Sequence, residues 1–342
     1  MKQYVSLGEL MLRLKTPGHE RFFQSPNFEA TFGGGEANVA VALAHMGMPA
    51  RFVTALPENP IADAAIRLLR GFGVDTSCII RRGQRMGLYY LEAGANQRSS
   101  RVIYDRAGSA IAESGPADFD WDAVFEDAGW FHITGITPAL SQSAADLAIA
   151  AAQAARERDV TVSCDINYRN KLWKYGKSPV EVMPELMESV DVGIAGAEDC
   201  QKALGISVEG HEPTRKHDHR MYEALTELML ERFANMSVIA ITLRESRSAD
   251  RHRWSACMRD ETGFRLSHRY KITDIIDRVG GGDSFAAGLI YALNAYDDPQ
   301  TVIEFAVPAS CLKHSIPGDF NRVTVKEVER MLGGDKTGRV RR

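Results

Sequence analysis

The sequence predicts an α/β fold: a central, mostly parallel sheet flanked by helices, with a small β lid projecting from it. Three observations point there. Strand-like runs such as ARFVTALP alternate with helical stretches such as PIADAAIRLLRGFGVD along most of the chain, the pattern of parallel strands covered on both faces. Between residues 78 and 106 that rhythm breaks into the short β-type runs RMGLYYLEAG and SRVIYDRAGSA, joined by the polar turn AGANQRSS as in a hairpin. Near each end, three consecutive glycines (Gly33 to Gly35 and Gly280 to Gly282) lead into an apolar helical stretch. With 342 residues, 44% of them apolar, the chain can bury a large core, and length alone permits one large or two modest domains.

In chain order, YVSLGELMLRL begins with strand-like alternation, and Gly8 and Glu9 end the first core strand. The stretch to about Thr31 mixes aromatic with polar residues without a helical period, so short strands are expected. GGGEAN opens a helix through His45; ARFVTALP is the next strand, and the helix after it ends in glycine. After the hairpin the alternation resumes. WFHITGITPAL is a strand leading to the helix SAADLAIAAAQAARERD, and VTVSCDINYR is a strand that ends in polar residues. DVGIAGAEDCQKALGI reads as strand then helix, and SVIAITLRES as strand again. Residues Ser207 to Arg220, rich in His, Arg and Glu, read as a solvated insertion. The expected organisation is one domain over 1–335, a lid from about 12–32 and 80–108 inserted in it, and a flexible tail at 336–342.

Composition excludes several classes of function. A formal charge of −4 offers nothing to nucleic acid or anionic lipid, so the expected partner is a small molecule. The five cysteines (Cys78, Cys164, Cys200, Cys257 and Cys311) are scattered, never at metal-ligand spacing, and suit a reduced compartment. No signal-peptide pattern and no run of about 18 apolar residues occurs, which reads as a cytoplasmic protein without a membrane partner. GxxxxGK[ST], HExxH and GxSxG are all absent. HEPTRKHDH lies in a charged, loop-like stretch with no cysteine and carries no metal assignment.

The chemistry concentrates in IIDRVGGGDSFAAGLIYAL. Glycines allow several N–H groups to aim at one point, and the start of the following helix adds its positive dipole end, which makes an anion site. Asp283 sits beside it. A carboxylate repels the phosphate such a turn attracts, unless its task is to take the proton of a hydroxyl that attacks a phosphoryl group. The bland reading of Asp283 is a helix cap, and only a distant second signal outweighs it. That signal is the other glycine run, GGGEANVA.

Together the two stretches resemble the motifs of the ribokinase (PfkB) family of sugar kinases. The family's N-terminal stretch of paired glycines followed by Asn and Ala is matched by Gly34, Gly35, Asn38 and Ala40, and its DTxGAGD by DRVGGGD, with Arg278 in place of the usual Thr and Gly281 in place of the usual Ala. The resemblance covers roughly the whole chain. It implies a ribokinase-like fold, ATP and Mg2+ as cofactors with K+ left open, Asp283 as base, and an anion hole from Gly280, Gly281 and Gly282.

VIYDRAGSA and CDINYRNKLW resemble the family's kinases of 2-keto-3-deoxygluconate. This implies an acid-sugar site of Gly34, Tyr89 or Tyr90, Tyr104, Arg106, Asp165, Asn167 and Arg169. A forked guanidinium suits a sugar carboxylate. The alternatives are a kinase of a neutral sugar such as fructose or ribose, and an inactive sugar-binding relative. Tyr89 and Tyr90 face opposite ways on a strand, and Arg106 has a bland reading as a surface partner of Asp105 or Glu113. For the nucleotide, the resemblance implies Thr242 and Arg244, with Lys313, His314 and Ser315 bordering the adenine. The family's Asn-x-x-Glu stretch aligns with Gly196 to Asp199 and lacks its Asn, leaving Glu198 and Asp199 to hold metal through water. An exposed lid sheet is expected to pair two copies into a homo-oligomer, a dimer through the lid.

Overall fold

The computed structural model describes residues 2–208 and 218–334; the expected tail at 336–342 and residues 209–217 of the expected insertion lie outside them. The elements run β1 (Gln3–Leu7), β2 (Met11–Lys15), β3 (Glu29–Gly33), α1 (Gly35–His45), β4 (Ala50–Leu56), α2 (Pro60–Gly71), β5 (Ile79–Arg81), β6 (Gly87–Glu92) and β7 (Arg101–Asp105). Next come α3 (Trp121–Val124), β8 (Ala128–Thr134), α4 (Gln142–Arg156), β9 (Thr161–Asp165), α5 (Pro179–Met187), β10 (Val192–Ala195), α6 (Ala197–Leu204) and α7 (His219–Arg232). The last are β11 (Val238–Ser246), β12 (His252–Asp260), β13 (Gly263–Leu266), β14 (Tyr270–Ile272), α8 (Gly281–Ala295), α9 (Pro299–Lys313) and α10 (Val325–Leu332).

Among the described residues, one sheet has the order β13-β12-β11-β10-β9-β8-β1-β4-β5, with β14 also on β12. From β11 to β5 every pairing is parallel. The alternation of side chains divides the core in two: Tyr4 and Phe52 pack with α1, α2, α8 and α9, whereas Val5 and Val53 pack with α4, α5 and α7 on the other face. Helix starts follow local chemistry. Asn59 accepts the Ala62 N–H ahead of Pro60 to begin α2, and Ser141 accepts the Ala144 N–H to begin α4.

β12, β13 and β14 close the far edge in antiparallel fashion, a hairpin region absent from the expected elements because WSACMRD has no polar alternation when both faces are covered. The lid is a separate sheet of order β3-β2-β6-β7, in which β6 and β7 form the expected hairpin. Its expected span needs one correction. β5 pairs in parallel with β4, so residues 79–81 belong to the main sheet and the second lid segment starts at Gly87. No helix among the described residues is long and apolar enough to cross a membrane.

Candidate active site

A cleft of about 840 Å3 opens beyond the carboxyl ends of β1, β8, β9 and β10, roofed by the lid. Its floor is where the two glycine stretches meet. The Gly34 N–H donates to Asn38 Oδ1 (3.3 Å), and Asn38 Nδ2 donates to Asp283 Oδ2 at 2.6 Å, across 245 positions of sequence. Glycine is required at two points here. A Cβ on Gly34 would lie 1.9 Å from the Glu9 carbonyl oxygen, and Gly280, at φ +82°, would carry one 2.2 Å from the Asp319 carbonyl oxygen. That left-handed residue starts α8, so the N–H groups that follow face the cleft.

Asp283 is pushed up to about 6 by desolvation, against the Asn38 hydrogen bond and the positive charges of Arg169 and Lys313, while Asp319 adds to the rise. A carboxylate with that value is still ionised at neutral pH and takes a proton readily. Asp165, at the end of β9, is pushed higher, to about 8, by desolvation and by the negative charges of Asp199 and Asp283. Asn167 is held at φ +40°, donates to Asp165 Oδ2 (3.1 Å), and leaves its own Oδ1 buried without a partner among the described residues. Arg169 is exposed and donates to the Tyr168 carbonyl (3.0 Å).

Lid residues complete the other wall. Tyr89 is buried, and its hydroxyl bonds to the Asp319 carboxylate at 2.6 and 2.7 Å. The Tyr104 ring lies 6.0 Å from that of Tyr89, with the Arg106 guanidinium 5.5 Å from its centroid. Arg106 is not a surface partner of Asp105 or Glu113. It is buried and bonded through Nε to Glu9 Oε2 (2.6 Å), while Asp105 pairs with Arg85 (2.9 Å). Tyr90 is corrected: it turns to the opposite face of the lid, edge-on to Phe28 at 6.1 Å, and does not line the cleft.

Of the residues expected at the nucleotide, Thr242 and Arg244 line the cleft. Lys313, His314 and Ser315 do not. Lys313 is fully buried beneath the Gly280 turn, its Nζ donating to the Ile316 carbonyl (3.1 Å). His314 is buried with Nδ1 on the Ser310 carbonyl, lowered to about 4 chiefly by desolvation, and Ser315 Oγ donates to the Leu312 carbonyl at the surface. The helix end that carries them packs behind the turn instead of beside the cleft.

Glu198 and Asp199 do line the cleft. Asp199 already accepts the Gly196 N–H (2.6 Å) and the Tyr168 N–H (3.0 Å), and burial raises its pKa; Glu198 is exposed. Among the described residues, no three His, Cys, Asp or Glu side chains gather as a metal cage. This donor set fits Mg2+ held mainly by phosphate oxygens and water, with one or two carboxylates behind them.

Four contributors lie outside the expected set. Glu9 orients Arg106, Asn38 holds Asp283, and Arg13, almost wholly buried, is paired with both Asp277 and Asp319. Asp319 sits in the turn signal IPGD, and Asp277 opens DRVGGGD; those were the only local signs of them. The fourth, Arg278, lines the cleft.

Comparison with known proteins shows the family. A family model described as pfkB family carbohydrate kinase matches residues 1–321. The crystal structure of a 2-dehydro-3-deoxygluconokinase from Thermotoga maritima is 48% identical, with a TM-score of 0.91 over 97% of this chain and 98% of that one. A 2-dehydro-3-deoxygalactonokinase from Haloferax volcanii is 31% identical over 98% of each chain. A 2-dehydro-3-deoxygluconokinase from Thermoproteus tenax is 27% identical, covering 97% of this chain and 94% of its own.

Proposed function

Because the chain belongs to the pfkB family of carbohydrate kinases, we propose that its cleft transfers the γ-phosphoryl group of ATP to O6 of 2-keto-3-deoxygluconate. On this reading it is a phosphotransferase with an alcohol acceptor, acting on the substrate for which its 48% identical structural relative is named. The observation that carries the reading is the hydrogen bond from Asn38 to Asp283, which brings the base and both glycine turns into one cleft with Arg106 and Arg169.

In the proposed mechanism, Asp283 accepts the O6 proton as that oxygen bonds to the γ-phosphorus. The bond from that phosphorus to the β–γ bridging oxygen breaks, and ADP leaves with the electron pair. Asn38 aims the Asp283 carboxylate, and peptide N–H groups of Gly280, Gly281 and Gly282 face the charge that builds on the transferring group. Gly34, Tyr89, Tyr104, Asp165 and Asn167 position the sugar, while Arg106 and Arg169 face its carboxylate. Thr242 and Arg244 are assigned to the nucleotide. When bound, Mg2+ neutralises phosphate charge, and Glu198 and Asp199 would hold its water shell. The lid excludes water, which competes with the sugar as acceptor.

The test is a coupled ADP-release assay over acid and neutral sugars, with and without K+. Turnover of 2-keto-3-deoxygluconate well above fructose and ribose is expected, and equal turnover of the neutral sugars would defeat the acid-sugar assignment. The galactonate epimer belongs in the panel, since one relative is named for it. Dimerisation through the lid is part of the proposal: Phe23 (79% exposed) and Ile103 (49%) lie on it. Sedimentation of an Ile103→Glu variant as monomer checks it.

A further inference from the structure

Arg278 stands where the family's C-terminal motif usually has threonine, and the reading above gives it no task. The structure places it in the cleft with Arg169 and Arg244. Among the described residues, none of these three guanidinium groups makes an ion pair. Other arginines drawn into the fold are satisfied: Arg13 by Asp277 and Asp319, Arg51 by Asp75, Arg106 by Glu9. The nearby carboxylate of Asp199 spends its oxygens on the N–H groups of Gly196 and Tyr168.

Arg244 feels the charge of the other two. Desolvation, then the positive charges of Arg278 and Arg169, bring Arg244 down to about 10, and desolvation lowers Arg278 as well. Trp254 also lines the cleft, 4% exposed, with its indole Nε1 lacking a partner among the described residues. The cleft therefore holds guanidinium groups that no carboxylate pairs and an indole N–H that no acceptor meets among the described residues.

The backbone on either side of Arg278 is pinned next to the anion turn. Asp277 is fixed by Arg13 and accepts the N–H groups of Val279 and Gly318 (3.1 Å each), and the left-handed Gly280 follows two residues after Arg278. A sugar acid brings one carboxylate, for which Arg106 and Arg169 suffice, whereas a nucleoside triphosphate brings several charged oxygens past this turn.

We propose that Arg278 and Arg244 form a two-guanidinium clamp on the polyphosphate of the nucleotide, the arginine at 278 supplying a charged contact where a neutral hydroxyl is usual. The inference rests on the kinase reading and deepens it. Calorimetric titration of the purified protein with inorganic tripolyphosphate and with Mg-ATP, in wild type, Arg278→Thr and Arg278→Lys, tests it without requiring turnover. Steady-state KM values for ATP and for the acid sugar accompany the titrations.

Arg278→Thr is expected to weaken tripolyphosphate binding and raise KM for ATP about tenfold, leaving KM for the sugar within about twofold; Arg278→Lys, a point charge without the fork, falls between. Tripolyphosphate affinity unchanged in both variants overturns the clamp. A rise in the sugar KM with ATP unaffected also overturns it, by moving Arg278 to the sugar carboxylate. If Arg278→Thr does not fold, the Lys variant alone decides: affinity equal to wild type rejects the fork. A wild type that binds ATP and tripolyphosphate yet phosphorylates no acid sugar would sink the kinase reading and leave the binding result standing.

Discussion

Arg13 and Arg278 lie on either side of the same turn, and their surroundings are opposite. Arg13 reaches from the lid strand β2 into the core, 1% exposed, and meets two carboxylates, with Tyr89 bonded to one of them. Arg278 meets none among the described residues. The same contrast holds between regions. At the seam of lid and core the buried charges have partners, whereas in the cleft Arg169, Arg244 and Arg278 make no ion pair among the described residues, and burial raises Asp165, Asp199 and Asp283. Paired charges fix geometry, and unpaired ones are left for ligand, because removing a charge from water is costly until something of opposite sign or a hydrogen bond meets it.

The sharpest separation of the two regions comes from Asp283→Asn. Turnover should fall by ~10²–10⁴-fold, the range for a lost general base, while calorimetry shows acid-sugar binding retained. Loss of sugar binding in parallel would make Asp283 a positioning group. On the seam, Arg13→Met leaves Asp277 and Asp319 buried and unpaired, and should cost about 3–5 kcal/mol in denaturant unfolding. A cost near zero would erase the contrast.

Arg169→Ala should do the reverse: little change in stability, and a KM for the acid sugar raised about tenfold with neutral sugars hardly affected. The pH profile tests the cleft in wild type. Asp283 acts ionised and its value lies at about 6, so kcat/KM should fall below roughly that pH and flatten above it. The profile of the Asp283→Asn variant should lack that limb.

The smallest effect concerns stability. Desolvation, then Asp199 and Asp283, raise the folded-state value of Asp165 to about 8 from 3.8, so its contribution is fully present below the unfolded value and lost as pH rises through about 8. Asp165→Asn should therefore melt a few degrees above wild type at about pH 9, with the gap shrinking toward about pH 5. The reverse trend would mean that a cation neutralises Asp165.

Much of this was legible because it is local. The period of apolar residues marks the strands and helices that form the main sheet, and GGGEANVA and DRVGGGD mark the two turns whose meeting builds the floor. The run WSACMRD in β12 was silent for the opposite reason, being covered on both faces. Lys313, His314 and Ser315 were misplaced since their nearness in sequence to the C-terminal motif says nothing of which side of α8 the end of α9 packs on.

By itself the sequence determined the α/β alternation, the lid hairpin, the two glycine turns and the carboxylate that follows the second, since each depends on neighbours within a few residues. Only the tertiary structure decided that Tyr89 and not Tyr90 faces inward, that Glu9 claims Arg106, and that Arg278 is left free beside Arg244. Alternation tells which side chains share a face but not which face is covered, and an ion pair between residues far apart in the chain leaves no local trace until folding brings them into contact.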